Sequence, residues 1–184
     1  MGKIALIVGP HGVGKSTLFN FAKAKGELIV FDGFELPRDN FDLKIKEDFL
    51  KYESWYLKFI NENNNVIKQS RHDGIVVRSI EESSYYFHFY KYENLTKEYD
   101  RLFNESNNIK VDCVIYLDAD YQTLCDRCEK DNGRDMTETR SWYEYEYNRY
   151  VDYWTQYPGV KKIDTKDKNI GEIYDELRFT MSKI

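Results

Sequence analysis

The chain's 184 residues are enough for one compact α/β domain and leave little room for a second. Hydrophobic residues make up 41% of it, which suffices for a core, and 16 tyrosines raise the aromatic content to 16%. The formal net charge of -5 argues against a protein that binds duplex nucleic acid through a basic face.

The sequence carries no targeting or membrane pattern, so we expect a cytoplasmic protein with no membrane partner. The first residues lead directly into an apolar strand, unlike a signal peptide. No apolar run approaches the ~20 residues that a membrane span needs. Cys125 and Cys128 form a lone C-x-x-C without the second pair of a zinc site, and we predict two reduced thiols on a helix.

Strand and helix patterns alternate along the chain. Strands are predicted at 4–8, 27–31, 74–78, 111–117 and 160–163. Helices are predicted at 15–25, 41–61, from 79 onward, at 121–130, after a capping-box pair at Asp135 and Glu138, and at 170–181. The asparagine-rich run 61–65 is expected to end the second helix or loosen its last turn. This order predicts a single domain over 1–184, with three layers and a parallel sheet of about five strands.

A glycine-rich loop follows the first strand and opens the first helix with the pattern G-x4-G-K-S. Glycines let the backbone wrap a phosphate, with N–H groups pointing inward and a helix N-terminus behind them. Lys15 is predicted to reach the β- and γ-phosphates of ATP, and Ser16 to offer its hydroxyl to Mg²⁺. The predicted cofactor-binding residues are Gly9, His11, Gly12, Val13, Gly14, Lys15, Ser16 and Thr17.

Two acids follow the second strand, where phosphoryl transfer needs a group to orient and deprotonate a hydroxyl. Asp32 stands at the strand end and lies close to the phosphate loop if the first two strands are neighbours. Glu35 follows three residues later. Either could be the catalytic base or an outer-shell magnesium ligand; alternatively, each is a solvated turn carboxylate.

Three arginines are candidates for contacts with the transferred phosphate. Arg78 stands at the end of the third strand, where a buried guanidinium needs an anionic partner. Arg127 and Arg134 lie in or beside a polar segment around 127–140 that we interpret as a lid. The alternative for all three is an ion pair with neighbouring carboxylates.

Four stretches together resemble the deoxynucleoside kinase and thymidylate kinase family of P-loop kinases. They are the phosphate loop, the segment 78–87, the strand 115–119 with its following arginines, and the helix 143–154 with Tyr150 and Trp154. In order, they span most of the chain. The resemblance implies a three-layer P-loop NTPase fold and an ATP- and Mg²⁺-dependent kinase, most simply one acting on the 5'-hydroxyl of a deoxynucleoside.

The resemblance also implies roles for individual residues. Asp32 or Glu35 would be the base, and Arg78 would contact the acceptor hydroxyl and the phosphate. Glu53 and Tyr56 would line the base pocket, and the segment 164–168 would pass near adenine. Three departures from the family stand out. Val77 replaces an acid before the arginine, and Glu53 stands where a glutamine is expected. After the second strand, Asp32 and Glu35-Leu36-Pro37 replace the usual Glu-Pro.

Other functions remain open at this stage. A deoxynucleoside monophosphate kinase would need cations near the acceptor phosphate, and Lys68, Arg71 and His72 are available before the third strand. A kinase of a modified base or a polynucleotide end fits the acidic charge less well. A switch-like NTPase could use Asp118-Ala119-Asp120 as a magnesium-binding strand end, although that segment fits a helix-capping turn equally well. The aromatic helices could pack a homodimer interface or fill the substrate pocket.

Overall fold

The computed structural model describes residues 1–32, 42, 45–77, 79, 95–105, 108–132 and 140–184, without the side chains of 96, 131, 132, 140–143 and 146. Its strands are β1 Ile4–Val8, β2 Ile29–Phe31, β3 Gly74–Val76, β4 Cys113–Asp118 and β5 Lys161–Asp164. Its helices are α1 Lys15–Lys25, α2 Lys46–Gln69, α3 Thr96–Glu105, α4 Tyr121–Asn132, α5 Arg140–Thr155 and α6 Ile170–Ser182.

The five strands form one parallel sheet in the order β2-β3-β1-β4-β5. β1 is central because it is the most apolar strand, and all five of its residues are buried. The predicted fold class is confirmed: alternating strands and helices place every strand in the same direction, since each crossover returns the chain to the same edge.

Helices cover both faces of the sheet. On one face α1, α4 and α6 contribute to a single core cluster; Leu18, Leu124 and Leu177 represent the three helices there. On the other face Ile67 of α2 and Trp154 of α5 pack against alternate residues of β1. α3, which the sequence patterns did not single out, packs against α2 rather than against the sheet.

The prediction that the asparagine run ends the second helix is wrong. α2 continues to Gln69 because its asparagine side chains bond a distant segment instead of competing for their own backbone. Asn61 accepts from the backbone N–H of Ile109 at 2.8 Å, and Asn64 donates to the Ile109 carbonyl at 2.8 Å. Such partners lie more than forty residues away and leave no mark in the local sequence.

Other element boundaries differ from prediction by a few residues. β2 begins at Ile29 and β4 at Cys113, each two residues later than predicted. The helix predicted after residue 79 and the capping pair Asp135 and Glu138 lie outside the described residues, as do residues 133–139 of the proposed lid. No helix in the described part of the chain is both long enough and apolar enough to cross a bilayer.

Candidate functional site

The glycine loop lies at the carboxyl end of the central strand. Gly9 follows Val8 directly and is pressed against β4: a Cβ atom there would stand 2.7 Å from the Leu117 carbonyl oxygen and 2.8 Å from Val13 Cγ1. Only a glycine can make this approach, which lets the loop turn tightly over the end of the sheet. Ligands of such sheets bind at this edge.

Two further glycines of the loop hold left-handed backbone conformations. Gly12 has φ of 78° and Gly14 has φ of 98°, values that side-chain-bearing residues rarely adopt. Gly14 is the N-cap residue of α1, and its carbonyl accepts from the Leu18 N–H at 2.9 Å. The chain therefore passes from the loop into the helix as a phosphate cradle requires.

The side chains predicted to meet the cofactor lie together at this loop. Lys15 Nζ donates to the carbonyl of Gly9 and, at 3.1 Å, to that of Pro10, so its ammonium lies over the loop. Ser16 and Thr17 are exposed on the first turn of α1. His11 is exposed at the rim of the loop.

Tyr150 of α5 is part of the site, and the sequence did not predict this role. Its hydroxyl accepts a hydrogen bond at 3.1 Å from the backbone N–H of Gly9, and the bond is buried. The Tyr150 ring packs beside Tyr116 of β4, with centroids 6.4 Å apart. The aromatic stripe of α5 was evident in the sequence, but spacing could not identify which hydroxyl reaches the loop.

Asp32 lies farther from the phosphate loop than the sequence argument assumed. That argument required β1 and β2 to be neighbours, and this premise is wrong because β3 lies between them. Two strand spacings separate β1 from β2 by about 10 Å. The Asp32 carboxylate accepts at 2.7 Å from Lys23 of α1 and is partly exposed. Its role as the base stays a prediction.

Arg127 is held by the loop that follows β5. Its two terminal nitrogens donate to Thr165, one to the hydroxyl at 3.0 Å and the other to the carbonyl at 2.8 Å. Thr165 is fully buried and its hydroxyl in turn bonds the Asp118 carbonyl at 3.0 Å. The arginine thus ties α4 to the segment predicted to pass near adenine; a direct contact with phosphate stays a prediction.

The acids at the carboxyl end of β4, Asp118 and Asp120, are engaged in local structure. Asp120 caps α4, since its carboxylate accepts from the Thr123 N–H at 3.0 Å and from Lys166 at 2.9 Å. Asp118 pairs with Lys162 at 2.7 Å. Of the two interpretations of this segment, the helix-capping turn is therefore the one that Asp120 adopts.

Glu53 and Tyr56 lie on the buried side of α2. Tyr56 is buried among Leu57 and Ile60, and its ring is nearly parallel to that of Tyr52, with centroids 6.2 Å apart. Glu53 Oε2 is buried and has no hydrogen-bond partner. Burial raises the pKa of this carboxyl to about 7. A carboxyl whose pKa is raised in this way by burial is a functional candidate.

The cations considered for an acceptor phosphate lie at the wrong edge of the sheet. Lys68, Arg71 and His72 precede β3 and stand at the amino ends of the strands; the Gly2 N–H donates to the neighbouring Ser70 carbonyl at 3.0 Å. Lys68 is paired with Asp112 at 2.6 Å. β1 separates them from the loop by about 13 Å, so that part of the argument for a monophosphate kinase is wrong.

The donors of the loop fit magnesium held mainly through nucleotide phosphates. Mg²⁺ in such sites needs only one or two protein oxygens, and the exposed Ser16 hydroxyl at the start of α1 can supply one. The described residues contain no cluster of three or more His, Cys, Asp or Glu side chains suited to a metal held by protein alone. Glu35, Arg78 and Arg134 lie outside the described residues.

Among known proteins, the chain is similar to solved structures but not to family models or curated sequences. No family model and no curated protein matches the chain. The chain is similar to the solved structure of deoxyadenosine kinase from M. mycoides with the products dCMP and a flexible dCDP bound, at 22% identity and a TM-score of 0.66, over 99% of this chain and 100% of that one.

Two further solved structures are similar over nearly the whole chain. One is the YorR protein of Bacillus subtilis in complex with phosphorylated GDP, at 16% identity and a TM-score of 0.62, over 98% of this chain and 96% of that one. The other is a gluconokinase from Sinorhizobium meliloti 1021, at 17% identity and a TM-score of 0.54, over 99% and 92%. The chain has the fold of the P-loop kinases, as its sequence motifs predicted.

Proposed function

We propose that this protein transfers the γ-phosphoryl group of ATP–Mg²⁺ to the 5'-hydroxyl of a deoxynucleoside. The observation that carries the proposal is the glycine loop at the carboxyl end of β1, with Lys15 lying across it and Ser16 opening α1. The full-length similarity to a deoxyadenosine kinase supports a nucleoside as the acceptor.

The chemistry assigns each group a task. The loop N–H groups and Lys15 bind the β- and γ-phosphates, and Mg²⁺ held at Ser16 would neutralise their charge. The acceptor oxygen forms a bond to the γ-phosphorus as the bond to the β-phosphate oxygen breaks. The hydroxyl proton passes to a carboxylate, for which Asp32 and Glu35 are the candidates.

Two arginines complete the proposed machinery. Arg78 and Arg134 would balance charge on the transferred group, and Arg127 would do so only if it leaves its Thr165 contacts. We therefore expect that Arg127 acts mainly by holding the loop after β5.

The decisive experiment is an ATP-dependent phosphorylation screen of all deoxynucleosides and deoxynucleoside monophosphates, separated by chromatography. A new monophosphate supports the proposal. A new diphosphate would favour a deoxynucleoside monophosphate kinase instead. ATP binding and hydrolysis without any phosphorylated acceptor would contradict both and favour a switch-like NTPase.

Lys15→Ala tests the site itself. Removing the ammonium leaves the phosphate charge unbalanced, and we expect turnover to fall by about a hundredfold or more with the fold intact. Lys25→Ala, at the other end of α1, is the matched control and should keep full activity. Full activity of Lys15→Ala in the same assay would rule out the proposed phosphate site.

A further inference from the structure

Gly9, the first residue of the glycine loop, is contacted from three sides by other parts of the fold. It packs against β4, where an added Cβ would stand 2.7 Å from the Leu117 carbonyl oxygen. Its N–H donates to the Tyr150 hydroxyl of α5 at 3.1 Å, inside the protein. Its carbonyl oxygen accepts from Lys15 Nζ of α1. Gly9 therefore joins α5 to the side chain that is proposed to bind the β- and γ-phosphates.

Little backbone freedom separates the two hydrogen bonds of Gly9. Its close packing against β4 limits rotation about φ. The next residue is Pro10, whose ring disfavours helical ψ values in the residue before it. The Pro10 carbonyl accepts from the same Lys15 ammonium at 3.1 Å. Once Tyr150 fixes the Gly9 N–H, the Gly9 carbonyl has few directions left, and the ammonium is held over the loop.

The Tyr150 hydroxyl is itself held in place by aromatic packing. The Tyr150 ring lies beside Tyr116 of β4, with centroids 6.4 Å apart, and beside Trp154 of α5, with centroids 6.1 Å apart. Trp154 is fully buried and packs edge-on against Tyr153, with centroids 5.0 Å apart. Rings in such close packing have few alternative rotamers, so the hydroxyl keeps its position without help from a ligand.

We propose that Tyr150 is a positioning residue for phosphoryl transfer, which acts through Gly9 to hold Lys15 where the β- and γ-phosphates bind. This inference rests on the proposed function, because it takes ATP as the ligand of the loop. A group that is fixed before its ligand arrives loses less conformational entropy on binding and needs less reorganisation during the reaction. Loss of the hydroxyl would let the loop and the ammonium sample other arrangements.

Calorimetric titration with ATP and Mg²⁺ tests the link between Tyr150 and Lys15 and needs no acceptor. In Tyr150→Phe we expect the Kd for ATP to rise about tenfold. The same substitution made in Lys15→Ala should raise the Kd by less than about twofold, because the group that Tyr150 positions is already absent. An equal loss of affinity in both backgrounds would show that Tyr150 does not act through Lys15 and would overturn the inference.

Tyr116→Phe is the matched control for the lost hydroxyl. Tyr116 is buried in the same aromatic cluster, and within the described part of the chain its hydroxyl has no hydrogen-bond partner. This variant removes the same atom without releasing Gly9, so its Kd for ATP should stay within about twofold of the wild-type value. An equal loss of affinity in Tyr116→Phe and Tyr150→Phe would assign the effect to ring packing and contradict the proposed role.

A second measurement uses the wild type alone and covers the case in which a variant does not fold. Amide hydrogen exchange of Gly9, followed by NMR, reports whether its N–H is held before the nucleotide binds. We expect exchange at least about a hundredfold slower than that of an unprotected amide, both without ATP and with it. Protection that appears only with ATP would show that the nucleotide, and not Tyr150, fixes the loop.

Steady-state kinetics separate this inference from the proposed function. For a nucleoside that the screen identifies as an acceptor, kcat/KM for ATP should fall about tenfold or more in Tyr150→Phe, whereas KM for the acceptor stays unchanged. A change confined to KM for the acceptor would overturn the positioning role. A wild type that binds ATP but phosphorylates no nucleoside would overturn the proposed function, while the ATP titrations would still decide the role of Tyr150.

Discussion

Gly12 shows how single residues shape the phosphate loop. Its φ is 78°, and a Cβ there would stand 2.8 Å from both Cys128 Sγ and the Leu124 carbonyl oxygen of α4. Gly26, which ends α1 with φ of 67°, has open space around it. Both glycines have a backbone conformation that strains any other residue, but of the two only Gly12 also lacks space for a side chain. Comparing them therefore distinguishes the cost of backbone strain from the cost of a steric clash.

We expect Gly12→Ala to lower the free energy of unfolding by about 1–3 kcal/mol more than Gly26→Ala. Both variants incur the left-handed strain of about 1–2 kcal/mol, and only the first must also push α4 away from the loop. Urea denaturation gives the difference. Of the two variants, only Gly12→Ala should bind ATP more weakly. If both variants have the same free energy of unfolding and the same ATP affinity, α4 moves to accommodate the methyl group without an energetic cost.

For single residues, the sequence predicted which residue types lie in the glycine loop better than it predicted which residues contact each other. The spacing of Gly9, Gly14, Lys15 and Ser16 predicted a glycine-rich turn between β1 and α1, and the structure has that turn. Phosphate binding by this turn stays a prediction. Cys125 and Cys128 lie buried on α4, within the helix that the sequence predicted for them. Nothing in the spacing indicated that Cys128 packs against Gly12, since that contact joins two elements more than a hundred residues apart.

Among the elements, α5 is linked to the phosphate loop through Tyr150. Gly9 belongs to the glycine loop that is predicted to bind phosphate, and its N–H donates to the Tyr150 hydroxyl within the protein interior. α5 also follows the segment predicted to act as a lid. The hydrogen bond therefore joins α5 directly to Gly9, the first residue of the loop.

Tyr150→Phe should leave the Gly9 N–H buried without an acceptor, at a cost of about 1–3 kcal/mol in the free energy of unfolding. We also expect weaker ATP binding, since the loop loses a fixed point. Tyr145→Phe is the matched control: its hydroxyl accepts from Arg149 at 2.7 Å on the exposed side of the same helix. Chemical denaturation and ATP titration of both variants should separate them; indistinguishable results would show that water replaces the lost hydroxyl.

The sequence predicted an element boundary correctly where a local residue sets it, and wrongly where a distant residue does. Gly26 ends α1 where predicted, because a glycine in the left-handed conformation is a local signal. α2 passed through its asparagines because Asn61 and Asn64 bond Ile109, a residue that no local pattern relates to them. β2 pairs with β3 instead of β1, which moved Asp32 away from the loop.

For the whole molecule, buried Glu53 makes stability depend on pH. Burial raises its pKa to about 7 from an ordinary value of 4.5. Between these values the unfolded chain releases the proton and the folded protein keeps it. The unfolded state then binds fewer protons, so the free energy of unfolding falls as pH rises through this window, by up to about 3 kcal/mol.

Glu53→Gln should remove that part of the pH dependence. Relative to the wild type, the variant is expected to gain up to about 3 kcal/mol of stability between about pH 4.5 and pH 7.5. Urea denaturation at several pH values measures the difference, with Glu62→Gln as the exposed control on the same helix. Parallel curves for Glu53→Gln and the wild type would show that the carboxyl is ionised in the folded protein.

The sequence by itself determined the fold class of this protein and the glycine-rich turn between β1 and α1. Both are encoded locally: buried strands read as apolar runs, and phosphate binding needs glycines, a lysine and a hydroxyl within eight residues. The tertiary structure alone decided the strand order, the partner of Gly9 and the burial of Glu53 Oε2. These depend on contacts between residues far apart in the chain, where burial and hydrogen bonding are set by neighbours that no sequence pattern names.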